Sequence, residues 1–269
     1  MNSTYQHRPR KRFGQNFLHD PAVIERICNE ITPPLPRVTP LLEIGPGLGA
    51  LSYALASYGH PVYAIELDRD LVQHWRETQT NSMITIIEQD ALKLNLPELI
   101  AEHNLPVPLT VVGNLPYNIA TALITRLLDQ REHINRMVFM VQKEVGLRLT
   151  AQPGDSEFSR LSVLVSNLAK ARYAFTVAPG AFSPPPKVES AIIELTVREQ
   201  PLVDNARHEL FEQLVTMAFK QRRKTLRNNL KPLLSTGLIE QAGIDPSRRP
   251  QTLSVAEYDQ LTALLAEKP

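Results

Sequence analysis

Cysteine is almost missing from this chain: Cys28 is the one thiol among 269 residues. Neither an intramolecular disulfide nor a cysteine-based zinc site can form, and a reducing, cytoplasmic setting is expected. A charge imbalance is lacking too. Lys and Arg total 29 against 28 for Asp and Glu, a net charge of +1, so affinity for a polyanion has to come from local clusters rather than from the field of the whole molecule. No uninterrupted apolar run approaches bilayer length. The basic opening MNSTYQHRPRKRFGQNF has no apolar core segment of the kind a signal peptide carries, so a soluble protein without membrane association is expected. His7, His19, His60, His74, His103, His133 and His208 show no metal-ligand spacing, which argues against a metal. Internal repeats and low-complexity segments are absent as well.

What is present is enough apolar material, 43% of residues, for one full-sized core and a small second domain. From Leu41 to about Val141 short aliphatic runs alternate with longer helical patterns, the signature of βαβ units and a parallel sheet. Strands are predicted over Leu41–Ile44, Val62–Ile65, Ile84–Ile87, Leu109–Val112 and Met137–Val141. Two later strand-like runs, Ala171–Val177 and Ser190–Val197, flank the Pro-rich turn Phe182–Lys187 and suit an antiparallel pair at the sheet edge. Beyond Pro201 the pattern becomes helical: Glu209–Phe219, Arg223–Leu230 and Val255–Leu265. The expected division is an α/β domain over 1–200, with a basic arm over 1–20, and a small all-α domain over 201–269.

In an open parallel sheet the ligand sits beyond the carboxyl ends of the strands, so chemistry is sought there. The first strand runs into Gly45-Pro46-Gly47-Leu48-Gly49. Glycines let the backbone turn sharply and approach a ligand closely, with the next helix N-terminus aimed at it. The GxGxG spacing differs from the dinucleotide fingerprint, whose third glycine falls one position later. The second strand ends at Glu66, placed for ribose hydroxyls with room for two hydrogen bonds, whereas Asp68 reads as the N-cap of the following helix. After the third strand, Asp90 is either an acceptor for an adenine amine or a turn cap.

The fourth strand ends in Asn114-Leu115-Pro116-Tyr117. An amine conjugated to an aromatic ring is a poor nucleophile because its lone pair is delocalised. The Asn114 side-chain oxygen and the Leu115 carbonyl can each accept one N–H and draw that amine toward a pyramidal geometry. Pro116 fixes the backbone, and Tyr117 offers a stacking face. Methyl transfer from a sulfonium needs little more than such alignment, because the electrophile is already cationic. Trp75 reads as a helix-face anchor, and Phe182, on its own, as a core aromatic beside a turn.

Taken together, Arg12-Phe13-Gly14-Gln15-Asn16-Phe17-Leu18, the loop Leu42–Gly49, Glu66, Asp90-Ala91, Asn114–Tyr117 continuing as Asn118-Ile119-Ala120-Thr121, and Phe182–Ser190 resemble the ribosomal RNA adenine dimethyltransferase family over nearly the whole chain. The resemblance implies a Rossmann-like class I methyltransferase fold with a mixed, mostly parallel sheet and S-adenosylmethionine as cofactor. It implies dimethylation of N6 on two adjacent adenosines near the 3′ end of small-subunit rRNA, with the small ribosomal subunit as partner, a role in its biogenesis, and a monomeric enzyme. Carried over by position, Asn16, Leu18, Gly45, Gly47, Glu66, Leu67, Asp90, Ala91 and Asn114 would contact the cofactor. Asn114, Leu115, Pro116 and Tyr117 would hold the target base, with Phe182 stacking on it opposite Tyr117 once it is flipped out. Arg10, Lys11, Arg12, Lys187, Arg222, Arg223, Lys224 and Arg227 would contact RNA. Two departures are noted: Glu157-Phe158-Ser159-Arg160 where relatives carry a glycine-containing sequence, and Gly146 in place of a common alanine.

Two other readings share these motifs. One is an adenine-N6 methyltransferase for DNA or large-subunit rRNA; the extended helical tail and the Phe182–Ser190 motif favour the small subunit. The other is an assembly checkpoint whose binding to immature subunits matters more than its catalysis.

Overall fold

The structure is a computed structural model, and it describes residues 15–32 and 39–267. Arg10, Lys11 and Arg12 lie outside the described residues. Nine strands are described: β1 (Phe17–Leu18), β2 (Leu41–Ile44), β3 (Val62–Glu66), β4 (Ile84–Glu88), β5 (Leu109–Asn114), β6 (Ile134–Gln142), β7 (Ala169–Val177), β8 (Phe182–Ser183) and β9 (Ser190–Val197). Seven of them form one sheet in the order β4-β3-β2-β5-β6-β9-β7. The pairings β2–β3, β3–β4, β2–β5 and β5–β6 are parallel, while β9 runs antiparallel to β6. The expected mixed, mostly parallel sheet is therefore present. The order reverses at β2, whose partners are β3 and β5, so a crevice opens beyond its carboxyl end, where an α/β sheet binds ligands.

The helices between these strands obey local chemistry. Helix α1 (Pro21–Ile31) starts with Pro at its first position, and the Asp20 carboxylate accepts from the Ala22 and Val23 amides. Helix α2 (Ala50–Ser57) follows the glycine loop, with Gly49 at φ 87° as its N-cap. Helix α3 (Arg69–Thr78) is capped by Asp68, as its sequence predicted. Helices α4 (Leu96–His103) and α5 (Ala120–Leu128) complete the crossovers. The core over one face joins Ile27, Leu55, Trp75, Val112, Met140, Phe182 and Ile192.

A two-residue ladder lies apart from the main sheet: β1 pairs antiparallel with β8, Phe17 opposite Ser183 and Leu18 opposite Phe182. Strands this short carry no periodicity, and neither was predicted.

The chain forms two compact units, one of residues 1–146 and 172–197, the other of 147–171 and 198–269. The expected boundary at 200/201 thus put 147–171 on the wrong side. The reason is packing: Ala151, Phe158 and Val163 are buried in the same cluster as Phe211, Leu226, Leu230, Tyr258 and Leu261. In this second unit α7 (Arg160–Leu168) accompanies α8 (His208–Ala218), α9 (Leu226–Leu230), α10 (Thr236–Gln241) and α11 (Val255–Ala266). Helix α9 begins three residues later than expected. Thr225 is extended at ψ 163° and precedes the first turn of α9; before it, 219–221 form a tight 3-10 turn, and the Asn229 side-chain amide donates to the Ala218 and Gln221 carbonyls.

Both departures from the family pattern have a local account. Ser159 sits at φ −145°, extended backbone, and caps α7 with Ser162, so no glycine is needed there. A Cβ on Gly146, in α6 (Lys143–Thr150), would come within 2.9 Å of the Ala191 Cβ on β9, so glycine here permits close helix–sheet packing.

Candidate active site

Beyond the carboxyl ends of β2, β3, β4 and β5 lies a cavity of about 340 Å³, within the usual range of small-molecule sites. Asn16, Leu18, Gly45, Gly47, Glu66, Leu67, Asp90, Ala91, Asn114, Leu115, Pro116 and Tyr117 all line it. The glycine loop and the Asn-Leu-Pro-Tyr corner therefore open onto one space.

The glycine loop is shaped by contact as well as by backbone freedom. Gly47 adopts φ +56°, and a Cβ there would meet the Phe17 ring at 3.0 Å. Its carbonyl accepts from the Trp75 indole at 2.8 Å. Trp75 is 3% exposed and stacks on Tyr53 at 5.2 Å between ring centroids, so it supports the loop from below as an anchor.

Glu66 is more heavily engaged than its sequence position suggested. One carboxylate oxygen accepts the Leu67 and Asp68 amides, each at 2.9 Å, and the other accepts the Gly47 amide at 3.3 Å. Of about four acceptor positions on a carboxylate, one remains, not two. Burial pushes its pKa up, against the three backbone donors that pull it down. Asp90, in the cavity lining, accepts the Leu92 amide at 3.0 Å on one oxygen as the cap of a short turn, and its other oxygen accepts no hydrogen bond among the described residues.

Glu43 lines the same space and had no role assigned to it. It is 1% exposed and accepts from the Ser52 hydroxyl at 2.5 Å; burial, with a smaller contribution from nearby Glu66, raises its pKa to about 7 against the lowering effect of the Ser52 bond. The signal was an acid inside the otherwise aliphatic run Leu41-Leu42-Glu43-Ile44, where burial without a cation partner is costly.

At the end of β5, Asn114 donates its side-chain Nδ2 to the Asn16 carbonyl at 3.1 Å. Its Oδ1 accepts no hydrogen bond among the described residues, nor does the Leu115 carbonyl, while the Leu115 amide is held by the Met140 carbonyl at 3.0 Å. Two acceptors are thus left available side by side. Gly113 lets this corner sit close to β2: a Cβ there would lie 2.4 Å from the Ile44 carbonyl oxygen. The Tyr117 hydroxyl is 2.6 Å from the Ser190 hydroxyl, and burial raises the Tyr117 pKa. Ser190 is fully buried at the start of β9 and was not singled out as a partner.

Phe182 is not brought to the cavity. It is 2% exposed, packed in the core and paired through β8 with Leu18, so the core-aromatic reading describes this conformation and no open ring face is offered. Of the expected RNA contacts, Lys187, Arg222, Arg223, Lys224 and Arg227 are exposed. Arg222 also donates its guanidinium to the Ser156 and Phe158 carbonyls, bracing the loop before α7. No cluster of metal-ligating side chains occurs among the described residues, and none of their helices is long and apolar enough to cross a membrane.

This geometry coincides with a family match. The description "ribosomal RNA adenine dimethylase" fits residues 6–267. The chain belongs to that family. A Pseudomonas aeruginosa relative named ribosomal RNA small subunit methyltransferase A is 47% identical over 270 residues, covering 100% of this chain and 99% of its own. A protein of the same name from Alcanivorax borkumensis is 45% identical, covering 94% of this chain and 89% of its own. Among solved structures, the 23S rRNA methyltransferase ErmE superposes with a TM-score of 0.73 at 28% identity, covering 94% of this chain and all of that one. A dimethyladenosine transferase from Plasmodium falciparum reaches 0.76 at 23% identity over 91% of this chain and 95% of its own, which speaks for the fold. The family is one of adenine methyltransferases, so the chain is an enzyme with a Rossmann-like fold.

Proposed function

We propose that this enzyme uses S-adenosylmethionine to dimethylate N6 of two adjacent adenosines near the 3′ end of small-subunit rRNA. The observation that carries the chemistry is the pair of available acceptors, Asn114 Oδ1 and the Leu115 carbonyl, on the cavity that also holds the glycine loop. The name shared by relatives up to 47% identical along the full chain supports the small subunit as substrate.

The cavity suits the cofactor. Glu43 and Glu66 give it a buried acidic lining, a favourable setting for a cation. Glu66 keeps one acceptor position for a ribose hydroxyl, and Asp90 keeps one oxygen for an adenine amine. S-adenosylmethionine supplies an electrophilic methyl on a cationic sulfur. The chain's own part is to bind, align and polarise. In the first transfer Asn114 and Leu115 would take the two N–H groups of the target amine, directing its lone pair toward the glycine loop; in the second, one of them would take the single N–H that remains. Neither group titrates; the N6 lone pair would form the N–C bond as the methyl's S–C bond breaks, and the proton then shed by the methylated N6 would pass to solvent, with no residue assigned as its base. Tyr117 presents a ring held by Ser190, and exposed Lys187, Arg223, Lys224 and Arg227 neutralise phosphates.

The test is transfer of labelled methyl groups to purified unmethylated small subunits, large subunits and adenine-containing DNA. Label on small subunits alone is expected. Preferential label on large subunits or DNA would overturn the substrate assignment.

A further inference from the structure

The segment Gln15–Leu18 lines the cavity and is tied down at both ends. Gln15 donates its side-chain amide to the Asp68 carboxylate at 3.0 Å. One residue on, the Asn16 carbonyl accepts the Asn114 side-chain amide at 3.1 Å. The Phe17 ring rests against Gly47, and Leu18 enters the ladder with β8. Asp68 is itself fixed: it is 1% exposed, its amide donates to Glu66 at 2.9 Å, and its other oxygen caps α3. A continuous path therefore runs from Glu66 through Asp68, Gln15 and Asn16 to Asn114, joining two cavity-lining residues 48 positions apart.

The direction of the last bond matters chemically. A primary amide presents its oxygen and its NH₂ on opposite sides. With its Nδ2 committed to the Asn16 carbonyl, Asn114 has to turn Oδ1 away from the segment, as acceptance of an N–H from the target amine requires. If the Asn16 carbonyl is displaced, the amide can rotate and offer a donor where an acceptor is needed, which opposes an amine carrying two N–H groups.

We propose that Gln15 is a positioning residue for methyl transfer: its bond to Asp68 places the Asn16 carbonyl, which sets the Asn114 amide with its oxygen toward the substrate amine. This rests on the acceptor role of Asn114 given above. Gln15 touches neither reacting group in this account. Its effect passes through the backbone of the next residue, and what Asp68 requires of it is a donor.

Two substitutions separate donor from bulk. Gln15→Glu keeps the shape but sets a carboxylate against Asp68; Gln15→Lys keeps a donor for it. The first readout is the Asn114 side-chain ¹⁵N–¹H pair, in which the proton bonded to Asn16 should exchange slowly in the full-length protein. The second is the single-turnover methyl-transfer constant at saturating cofactor and small subunit. Gln15→Glu is expected to abolish the slow exchange and lower the constant at least tenfold, with Gln15→Lys within about threefold of the parent on both. Equal losses in the two variants, or parental behaviour in Gln15→Glu, would overturn the proposal. Loss of slow exchange with an undiminished rate would leave the latch standing and overturn the acceptor role of Asn114, and the positioning role with it.

Discussion

The hydroxyls of Tyr117 and Ser190 stand 2.6 Å apart although 73 positions separate them in the chain. The bond ties the corner after β5 to the first residue of β9, on the far side of β6, and fixes the plane of the ring that the target base would meet. Ser190→Ala removes one neutral hydrogen bond, about 1 kcal/mol. We expect roughly a fivefold fall in kcat/KM for small subunits with unchanged cofactor affinity. An equal loss in cofactor affinity measured by calorimetry would show that the bond serves the cavity as a whole instead.

Glu66→Ala strips the acceptor from three backbone amides as well as from the cofactor. Cofactor affinity should fall by about 2 kcal/mol, the scale of charge-assisted hydrogen bonds. Unlike a residue that only touched ligand, it should also lower the melting temperature of the cofactor-free protein. Calorimetry and thermal unfolding of the same sample test both halves.

Glu43 gives the protein a pH dependence. Its carboxyl is raised from 4.5 to about 7 when folded, so the folded state binds the proton more tightly than the unfolded one. Stability from this group is therefore present at low pH, declines as pH rises from 4.5 to about 7, and levels off above that. Glu43→Gln, which cannot ionise, should flatten the slope of the urea midpoint between pH 5 and 8 relative to the parent. Parallel curves for parent and variant would contradict the shift.

The proposed RNA contacts differ in what each side chain touches. Replacing exposed Arg223, Lys224 and Arg227 with glutamine should reduce the salt slope of small-subunit binding by about one unit for each phosphate no longer neutralised. Arg222→Gln should leave that slope nearly intact and instead loosen the Ser156–Phe158 segment it holds, seen as faster amide exchange there. A large slope change from Arg222→Gln alone would reverse this division.

Much of the site was legible because it is local. Gly45, Gly47 and Gly49 follow β2 directly, Asp68 and Asp90 cap the turns their positions suggested, and Asn114–Tyr117 closes β5. Short aliphatic runs located the parallel strands to within a residue or two, β6 excepted, which starts three residues early at Ile134. What could not be read is what depends on distant segments. The Asn16–Asn114 and Tyr117–Ser190 bonds span 98 and 73 positions and leave no periodic trace. The two-residue strands β1 and β8 exist only as each other's partners. Residues 147–171 look like a continuation of the sheet domain until Phe158 is seen in the helical core. The family resemblance also suggested an exposed Phe182 face, which the core packing of this conformation does not offer.

The most direct measurement is mass spectrometry of nucleosides from unmethylated small subunits incubated with S-adenosylmethionine and either the parent enzyme or Asn114→Ala. The account predicts N6,N6-dimethyladenosine with the parent. It predicts a rate lowered by at least a hundredfold with the variant, which should still bind the subunit. Dimethyladenosine formed by Asn114→Ala at the parental rate would contradict the account at its centre.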